Sequence, residues 1–357
     1  MSGDRDVETL VASIEARRRA LDADPDSADL HAALARDLLE LSAHPDWDLE
    51  DEAGVVGNNG QVELVAALHL SRACGLRPDD PVLRTDLADV LHDLHAYDLQ
   101  AAELSRALRT APDDPGLLVE LSHALGHHPR TRDRALEALR RAMELAPDDR
   151  TVLHYMAANG PRYGAQEEAV AAARRLMDVA EDDEDRGEAY GMLGAALAAS
   201  GDVDAALEAL EEAHTLLPGA GYQSQRAELL AEAGRLEEAV EAYLSEADAD
   251  PEDGYARRDA AELLVRLGRL DEAGELFEQA EEQSPGSVSA EWATALIDAG
   301  RRQEAITALR RAVSQAPTVV ETRRLLADAL EAEGRDAEAA YESAQADAME
   351  SFHSGEW

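Results

Sequence analysis

Lysine is absent from all 357 residues; the 33 basic side chains are arginines set against 76 aspartates and glutamates, for a formal net charge of −43. Acidity this diffuse excludes the clustered cationic surface that a phosphate backbone requires, so nucleic acid is not expected as a partner. The single cysteine, Cys74, excludes a disulfide within the chain, and its place near the end of a helical segment predicts a buried small side chain. Two phenylalanines and an aromatic content of 4% leave a core of leucine and alanine. No apolar run has the roughly 18 residues of a membrane span, and the charged start MSGDRDVETL is unlike a signal peptide, so no membrane insertion and a cytoplasmic location are expected. Also missing are HExxH, paired cysteines, a phosphate loop, a glycine fingerprint and a nucleophile with its base; neither an enzyme nor a cofactor is expected.

What is present is a recurring proline. Pro78, Pro112, Pro147, Pro218, Pro251, Pro285 and Pro317, with Glu181 where one more would fall, are separated by 34, 35, 34, 37, 33, 34 and 32 residues. Such a period marks one supersecondary unit copied in tandem, each copy burying its apolar face against its neighbours. The clearest copy runs from Gly187 to Pro218. Tyr190, Leu193, Gly194 and Leu197 recur at helical steps, Gly201 supplies a turn, and Ala206, Leu207, Leu210, Ala213 and Leu217 line a second helix that ends at Pro218. The turn returns as GRLEEA, GRLDEA, GRRQEA and GRDAEA at 234, 268, 300 and 334, always with an alanine five residues after the glycine. Small residues there let paired helices approach closely.

These residues resemble the tetratricopeptide repeat family, a helical hairpin of about 34 residues with the pattern W-x2-L-G-x2-Y, then Ala, Ala and Pro. In the copy from Gly187, Tyr190 stands for the Trp and Leu197 for the Tyr; elsewhere Gln100 takes the first alanine position and Arg226 the leucine position. The resemblance implies an all-α chain of tandem hairpins stacked into a right-handed α-solenoid superhelix over residues 1–350, a lone N-terminal helix plus about nine hairpins, followed by a tail at 351–357.

The acid excess with arginine as the only cation resembles proteins of salt-loving archaea, in which molar salt screens self-repulsion over a Debye length of roughly 3 Å; a high-GC bacterial source is the alternative. The pairs Arg18–Arg19, Arg140–Arg141, Arg174–Arg175 and Arg310–Arg311 fall late in their helices, where they suit the helix dipole and can pair with acids of the next hairpin. Two insertions interrupt the period. HPDWDLEDEAGVVGNNGQ at 44–61 reads as a solvated or partner-contacting loop; Asp46, Asp48 and Glu50 suggest a calcium loop, but Asp51 occupies the position of its glycine. EDDEDR at 181–186 reads as an acidic linker, and Phe352 and Trp357 as a cap beyond the last helix or a short docking motif.

In the family the first helices present a peptide-binding stripe opposite their packing positions. Carried over, that stripe holds Thr85, Asp89, His92, His123, Ser224, Glu228, Tyr255, Arg258, Glu262, Arg266, Arg324 and Asp328. The Lys and Asn of the family's carboxylate clamp do not occur there, although Arg258 with Arg324 offers another way to hold a carboxylate and Tyr255 a flat apolar contact. Asp89, His92 and His95, with His123 and His127 one repeat later, are ligand types that zinc or nickel accepts. The resulting expectation is a protein–protein interaction scaffold or adaptor; a metal-dependent sensor or accessory protein and a self-assembling structural protein are the alternatives.

Overall fold

The computed structural model describes residues 5–45, 62–251, 254–283 and 290–354. The described residues form nineteen α-helices, two short 3-10 segments and no strand. They divide into two compact units, Met1–Val179 and Ala180–Trp357.

Unit 1 begins with α1 (Val7–Ala23) and continues with four hairpins: α2 (Ala28–Ser42) with α3 (Val62–Leu76), α4 (Pro81–Asp93) with α5 (Tyr97–Ala107), α6 (Pro115–Gly126) with α7 (Arg132–Leu145), and α8 (Arg150–Asn159) with α9 (Gln166–Val179). Asp80, Asp114 and Asp149 each stand two residues after a repeat proline and accept hydrogen bonds from the first backbone N–H groups of α4, α6 and α8. The proline thus stops one helix and the aspartate starts the next. The lone helix α1 is fastened to α2 through buried Asp37, which accepts hydrogen bonds from Ser13, Arg17 and Arg5.

Unit 2 holds five hairpins: α10 (Asp183–Ser200) with α11 (Val203–Leu216), α12 (Tyr222–Glu232) with α13 (Leu236–Ala249), α14 (Tyr255–Arg266) with α15 (Leu270–Gln283), α16 (Ala290–Asp298) with α17 (Arg302–Gln315), and α18 (Val320–Ala332) with α19 (Asp336–Ser354). The described helices thus comprise one unpaired N-terminal helix and nine successive helix pairs. Gly201, Gly234, Gly268, Gly300 and Gly334 all have positive φ, 74° to 86°, at the turn inside each hairpin. The alanines five residues further on, Ala206, Ala239, Ala273 and Ala305, are fully buried. At Gly194 a Cβ would lie 2.7 Å from Leu210 Cγ, so the close approach of α10 and α11 depends on the missing side chain.

Two expectations are corrected. The acidic segment 181–186 is not a linker: α10 starts at Asp183, and Asp182 caps it by accepting from the Asp185 N–H. Carboxylates in a first helical turn oppose the positive end of the helix dipole, so the same charges that suggested a solvated loop help to start a helix. Phe352 lies not beyond the last helix but within α19, which runs to Ser354. The 44–61 loop lies outside the described residues apart from His44 and Pro45, and Trp357 lies outside them altogether. Cys74 is buried as expected; its thiol donates to Leu83 O at 3.3 Å, and burial pushes its pKa up to about 11.

Four arginines of the pairs act as bridging cations, but the expected match to the helix dipole is corrected, since none of the four helices has a basic residue in its last turn. Arg140 and Arg310 reach Glu168 and Glu338 of the following hairpins, while Arg141 and Arg175 reach back to Asp113 and Asp148. In the GRxxEA turns, Arg235, Arg269, Arg301 and Arg335 each pair with the glutamate three residues on.

Candidate functional site

In unit 1 the candidate residues gather around an aromatic and histidine cluster. Thr85 is half-buried and donates to Pro81 O, one turn back on its own helix, at 2.9 Å. His92 on α4 and His123 on α6 bring their ring centroids to 5.1 Å, so neighbouring first helices do juxtapose the two histidines. Tyr97, at the start of α5, stacks flat on His127 with centroids 3.5 Å apart, and its hydroxyl lies 2.9 Å from His95 Nδ1. Tyr155 of α8 meets His123 edge-on. Burial, with the neighbouring His127 and His92, holds His123 below the usual histidine range; burial and then Arg162 do the same for His127. Beside them, burial and the charge of Asp89 push the Glu120 pKa up to about 6, and one Glu120 oxygen is buried without a hydrogen bond. Asp89 is itself raised by desolvation and by Asp86 and Asp93. Among the described residues no group of three or more His, Cys, Asp or Glu side chains is arranged to hold a metal ion. The cluster offers flat rings, two imidazoles, His123 and His127, whose protonation burial disfavours, and a carboxyl whose pKa burial pushes up to about 6.

In unit 2 the candidates on α12 and α14 adjoin one another. Tyr255 is 58% exposed. The Arg258 guanidinium sits 5.1 Å from the Tyr255 ring centroid and donates two hydrogen bonds to Asp259, at 2.7 and 2.9 Å. Arginine over a tyrosine face adds a cation–π attraction and keeps the ring in one orientation. Between the two helices lies a cavity of about 430 Å³ whose lining includes Glu228 and Glu232 of α12, Asp259, Glu262 and Arg266 of α14, and Tyr243 of α13. Ser224 is half-buried on α12.

Arg324 and Asp328 on α18 are exposed. Arg324 is engaged by the last helix, at 2.6 Å from Glu350 and 3.4 Å from Asp347. Its charge is already matched inside the fold.

Several residues were not singled out in the sequence. Tyr243, on a second helix, carries the spacing of a core residue, and nothing local signals that it lines a cavity. Buried Arg84 donates to Pro78 O and pairs with Glu103, and Arg323 repeats this with Pro317 O and Glu342. Both pairs span 19 residues, a separation that no helical or strand period draws attention to.

A family model described as tetratricopeptide repeat matches residues 224–288 and 291–350, and a second of the same description matches 187–216. Both matches fall within unit 2 and together span less than half of the chain. No sequence among the curated proteins matches the chain. Among solved structures, the C-terminal part of a TPR repeat-containing protein from Cytophaga hutchinsonii is 12% identical, with 66% of this chain and 94% of that chain covered and a TM-score of 0.50. YrrB, described as a TPR protein with an unusual peptide-binding site, is 18% identical over 58% of this chain and 96% of its own, with a TM-score of 0.45. PilW, described as a widely conserved type IV pilus biogenesis factor, is 20% identical over 60% and 98%, with a TM-score of 0.47. At such identities the first of these bears on the fold alone, and it agrees with the tandem hairpins seen here.

Proposed function

We propose that this chain is a non-enzymatic interaction scaffold that binds a segment of a partner protein along the first-helix face of unit 2. The observation that carries the reading is the exposed Tyr255 ring held under the Arg258 guanidinium, with Glu262 and Arg266 on the following turns of α14. Tyrosine and arginine are the side chains that most often dominate binding energy, and a ring already oriented loses little freedom when covered. Tetratricopeptide repeats at 187–350 support the same reading, since repeat arrays present extended surfaces rather than single pockets. Glu228 and Ser224 of α12 flank the contact, while Arg324 and Asp328 extend the stripe on α18.

The test is crosslinking and pulldown from native lysate at molar KCl with the wild type and with Tyr255→Ala combined with Arg258→Ala. Partner recovery falls at least several-fold with an unchanged melting temperature if the reading holds. Equal recovery overturns it. Among the described residues no helix is long and apolar enough to cross a membrane. We place the scaffold in the cytoplasm of a salt-loving archaeon on its charge of −43, which requires helicity and thermal midpoint to rise between about 0.1 and 2 M KCl as repulsion is screened; unchanged values overturn that origin.

A further inference from the structure

One edge of unit 1 carries cations that the described fold does not match. Five of the eight residues from His127 to Arg134 are histidine or arginine, and Asp133 is the one acid among them. Further along α7, Arg140 and Arg141 reach carboxylates of neighbouring hairpins. Arg130 and Arg132, at the turn between α6 and α7, and Arg162, at the turn between α8 and α9, form no ion pair with any described residue. The Arg132 Nε is moreover buried without a hydrogen bond. A buried guanidinium N–H without an acceptor is unfavourable unless something supplies one.

The fold gathers these groups in one place. The Pro129–Thr131 segment is pinned by Thr131, whose hydroxyl donates to Leu125 O and His128 O, and Arg130 and Arg132 flank it. The Pro161–Tyr163 segment packs on α7 and α8. Tyr163 is 8% exposed, and its hydroxyl lies 3.4 Å from Ser122 O. A Cβ on Gly126 would stand 1.9 Å from that hydroxyl, so the phenol lies against α6 only because residue 126 has no side chain. Burial raises the Tyr163 pKa against the pull of Arg162 and then Arg132, which places both guanidiniums around the same ring. Arg162 acts as well on His123 and His127, whose Nε2 atoms are 3.4 Å apart.

That setting decides the sign of a ligand. A divalent metal ion would find two imidazole nitrogens beside an arginine that repels it, and among the described residues no third His, Cys, Asp or Glu joins them. An apolar group would desolvate the guanidiniums and leave them unmatched. An oxyanion suits every part: the guanidiniums bond it through paired N–H groups, and imidazoles held towards their neutral form, by burial first, still offer one N–H each. Three guanidiniums against Asp133 leave two positive charges, which suits the roughly −2 of a phosphate monoester better than the single charge of a carboxylate.

We propose that Arg130, Arg132 and Arg162, with His123 and His127 beside them, form a binding site for a phosphate group on the turn edge of unit 1. It lies apart from the unit 2 groove and stands or falls without it.

The experiment is a titration of the full chain with inorganic phosphate, phosphoserine, adenosine monophosphate and acetate in about 1 M KCl, where a Debye length of roughly 3 Å removes diffuse attraction. Calorimetry gives the affinities, and NMR follows the His123 and His127 rings. Wild type binds the three phosphates about tenfold or more tightly than acetate, and each moves the His127 titration upward, because an adjacent anion favours the imidazolium. Arg132→Gln with Arg162→Gln loses about tenfold or more in phosphate affinity, together with the His127 response. Arg132→Lys keeps the charge but not the planar fork and loses about threefold. Arg162→Gln alone, an exposed change that leaves the half-buried Arg132 in place, loses about threefold with an unchanged melting temperature. The charge-matched control, Arg302→Gln with Arg311→Gln, removes two exposed arginines of unit 2 and binds as the wild type does. Equal binding of the three phosphates assigns the site to the phosphate group alone, tighter binding of adenosine monophosphate to a nucleotide, and tighter binding of phosphoserine to a modified partner segment. Acetate bound as tightly as phosphate, an equal loss in the control pair, an unmoved His127 titration, or no phosphate binding by the wild type overturns the site.

Discussion

All five hairpins of unit 2 turn on a glycine at positive φ, whereas the three hairpins of unit 1 whose turns are described turn on His95 at φ 55°, on a 3-10 segment at Pro129–Thr131, and on Gly164 after a second such segment. The starts of the first helices differ as well. Unit 1 caps α4, α6 and α8 with aspartate side chains; in unit 2 only α10, with Asp182, is described with such a cap, α12 being served by Glu246 of α13, which accepts from the Gly221 and Gln223 N–H groups, while α14 and α18 have no side-chain cap. Both units still make the same hairpins around alanine and leucine. Packing therefore sets the architecture, while turns, caps and outward faces vary independently of it. The faces diverge accordingly, into rings and histidines in unit 1 and paired arginines and acids in unit 2.

One device is common to both units, and breaking it has the largest expected effect. Arg84 ties Glu103 to the Pro78 carbonyl, and Arg323 ties Glu342 to that of Pro317. The side chains are 8% and 11% exposed in the first pair and 11% and 16% in the second. Removing one partner of a buried pair costs about 3 kcal/mol or more where the other is left alone, and less where a second cation remains. Arg84→Ala leaves Glu103 with Arg106 but the Pro78 carbonyl without its donor, and the Arg323–Glu342 pair is wetter, so Arg84→Ala and Arg323→Ala are each expected to cost about 2 kcal/mol, measured by urea unfolding in molar KCl. A cost below about 1 kcal/mol for both would show that the pairs are ornaments of the packing.

The turn comparison comes next in size. A Cβ on Gly268 meets nothing within 4 Å, yet φ is +74°, so any cost of Gly268→Val is backbone strain alone. About 1–2 kcal/mol is expected from thermal or urea midpoints. A neutral result removes the left-handed turn as the reason for the recurring glycine.

The hairpins were legible because their signals are local. Second helices α7, α11, α13 and α17 end two residues before Pro147, Pro218, Pro251 and Pro317, and the left-handed turns fall on the recurring glycines. The errors have equally physical sources. Acids at 181–186 suit a loop and a first helical turn alike, and only the Asp182 cap decides between them. The Arg84–Glu103 bond depends on how two helices dock, which no sequence period encodes. The candidate stripe was found by register on one helix at a time, so it contained Glu228 and Glu262 but missed Tyr243, which reaches the same cavity from a third helix.

The face of unit 1 predicts its own pH signature. Glu120 has its pKa raised from 4.5 to about 6, so its contribution to stability is complete below about pH 4.5 and is lost as pH rises through about 6. His123 and His127 are lowered, chiefly by burial, so theirs is complete above pH 6.5 and lost as pH falls. The two trends oppose each other, and Glu120→Gln separates them. The variant is expected to be more stable than wild type by about 1 kcal/mol at pH 7, with the gain disappearing by about pH 4. A gain independent of pH would mean that the carboxylate is not the source.

The smallest effect tests whether the two turn chemistries are interchangeable. His95 occupies the left-handed region that unit 2 gives to glycine, so His95→Gly relieves about 1 kcal/mol of strain and gives back part of it through the freer unfolded chain, for a net gain of about 0.5 kcal/mol. The imidazole also lies at hydrogen-bonding distance from the Tyr97 hydroxyl, and Tyr97 stacks on His127. His95→Gly is therefore expected to raise the melting temperature slightly while loosening that stack, seen by NMR as a His127 titration moving back towards the usual histidine range. A loss of about 1 kcal/mol or more would reverse the reading: the strained backbone at His95 would then be held by the Tyr97 contact, and the unit 1 turn would belong to its aromatic face rather than standing in for a glycine.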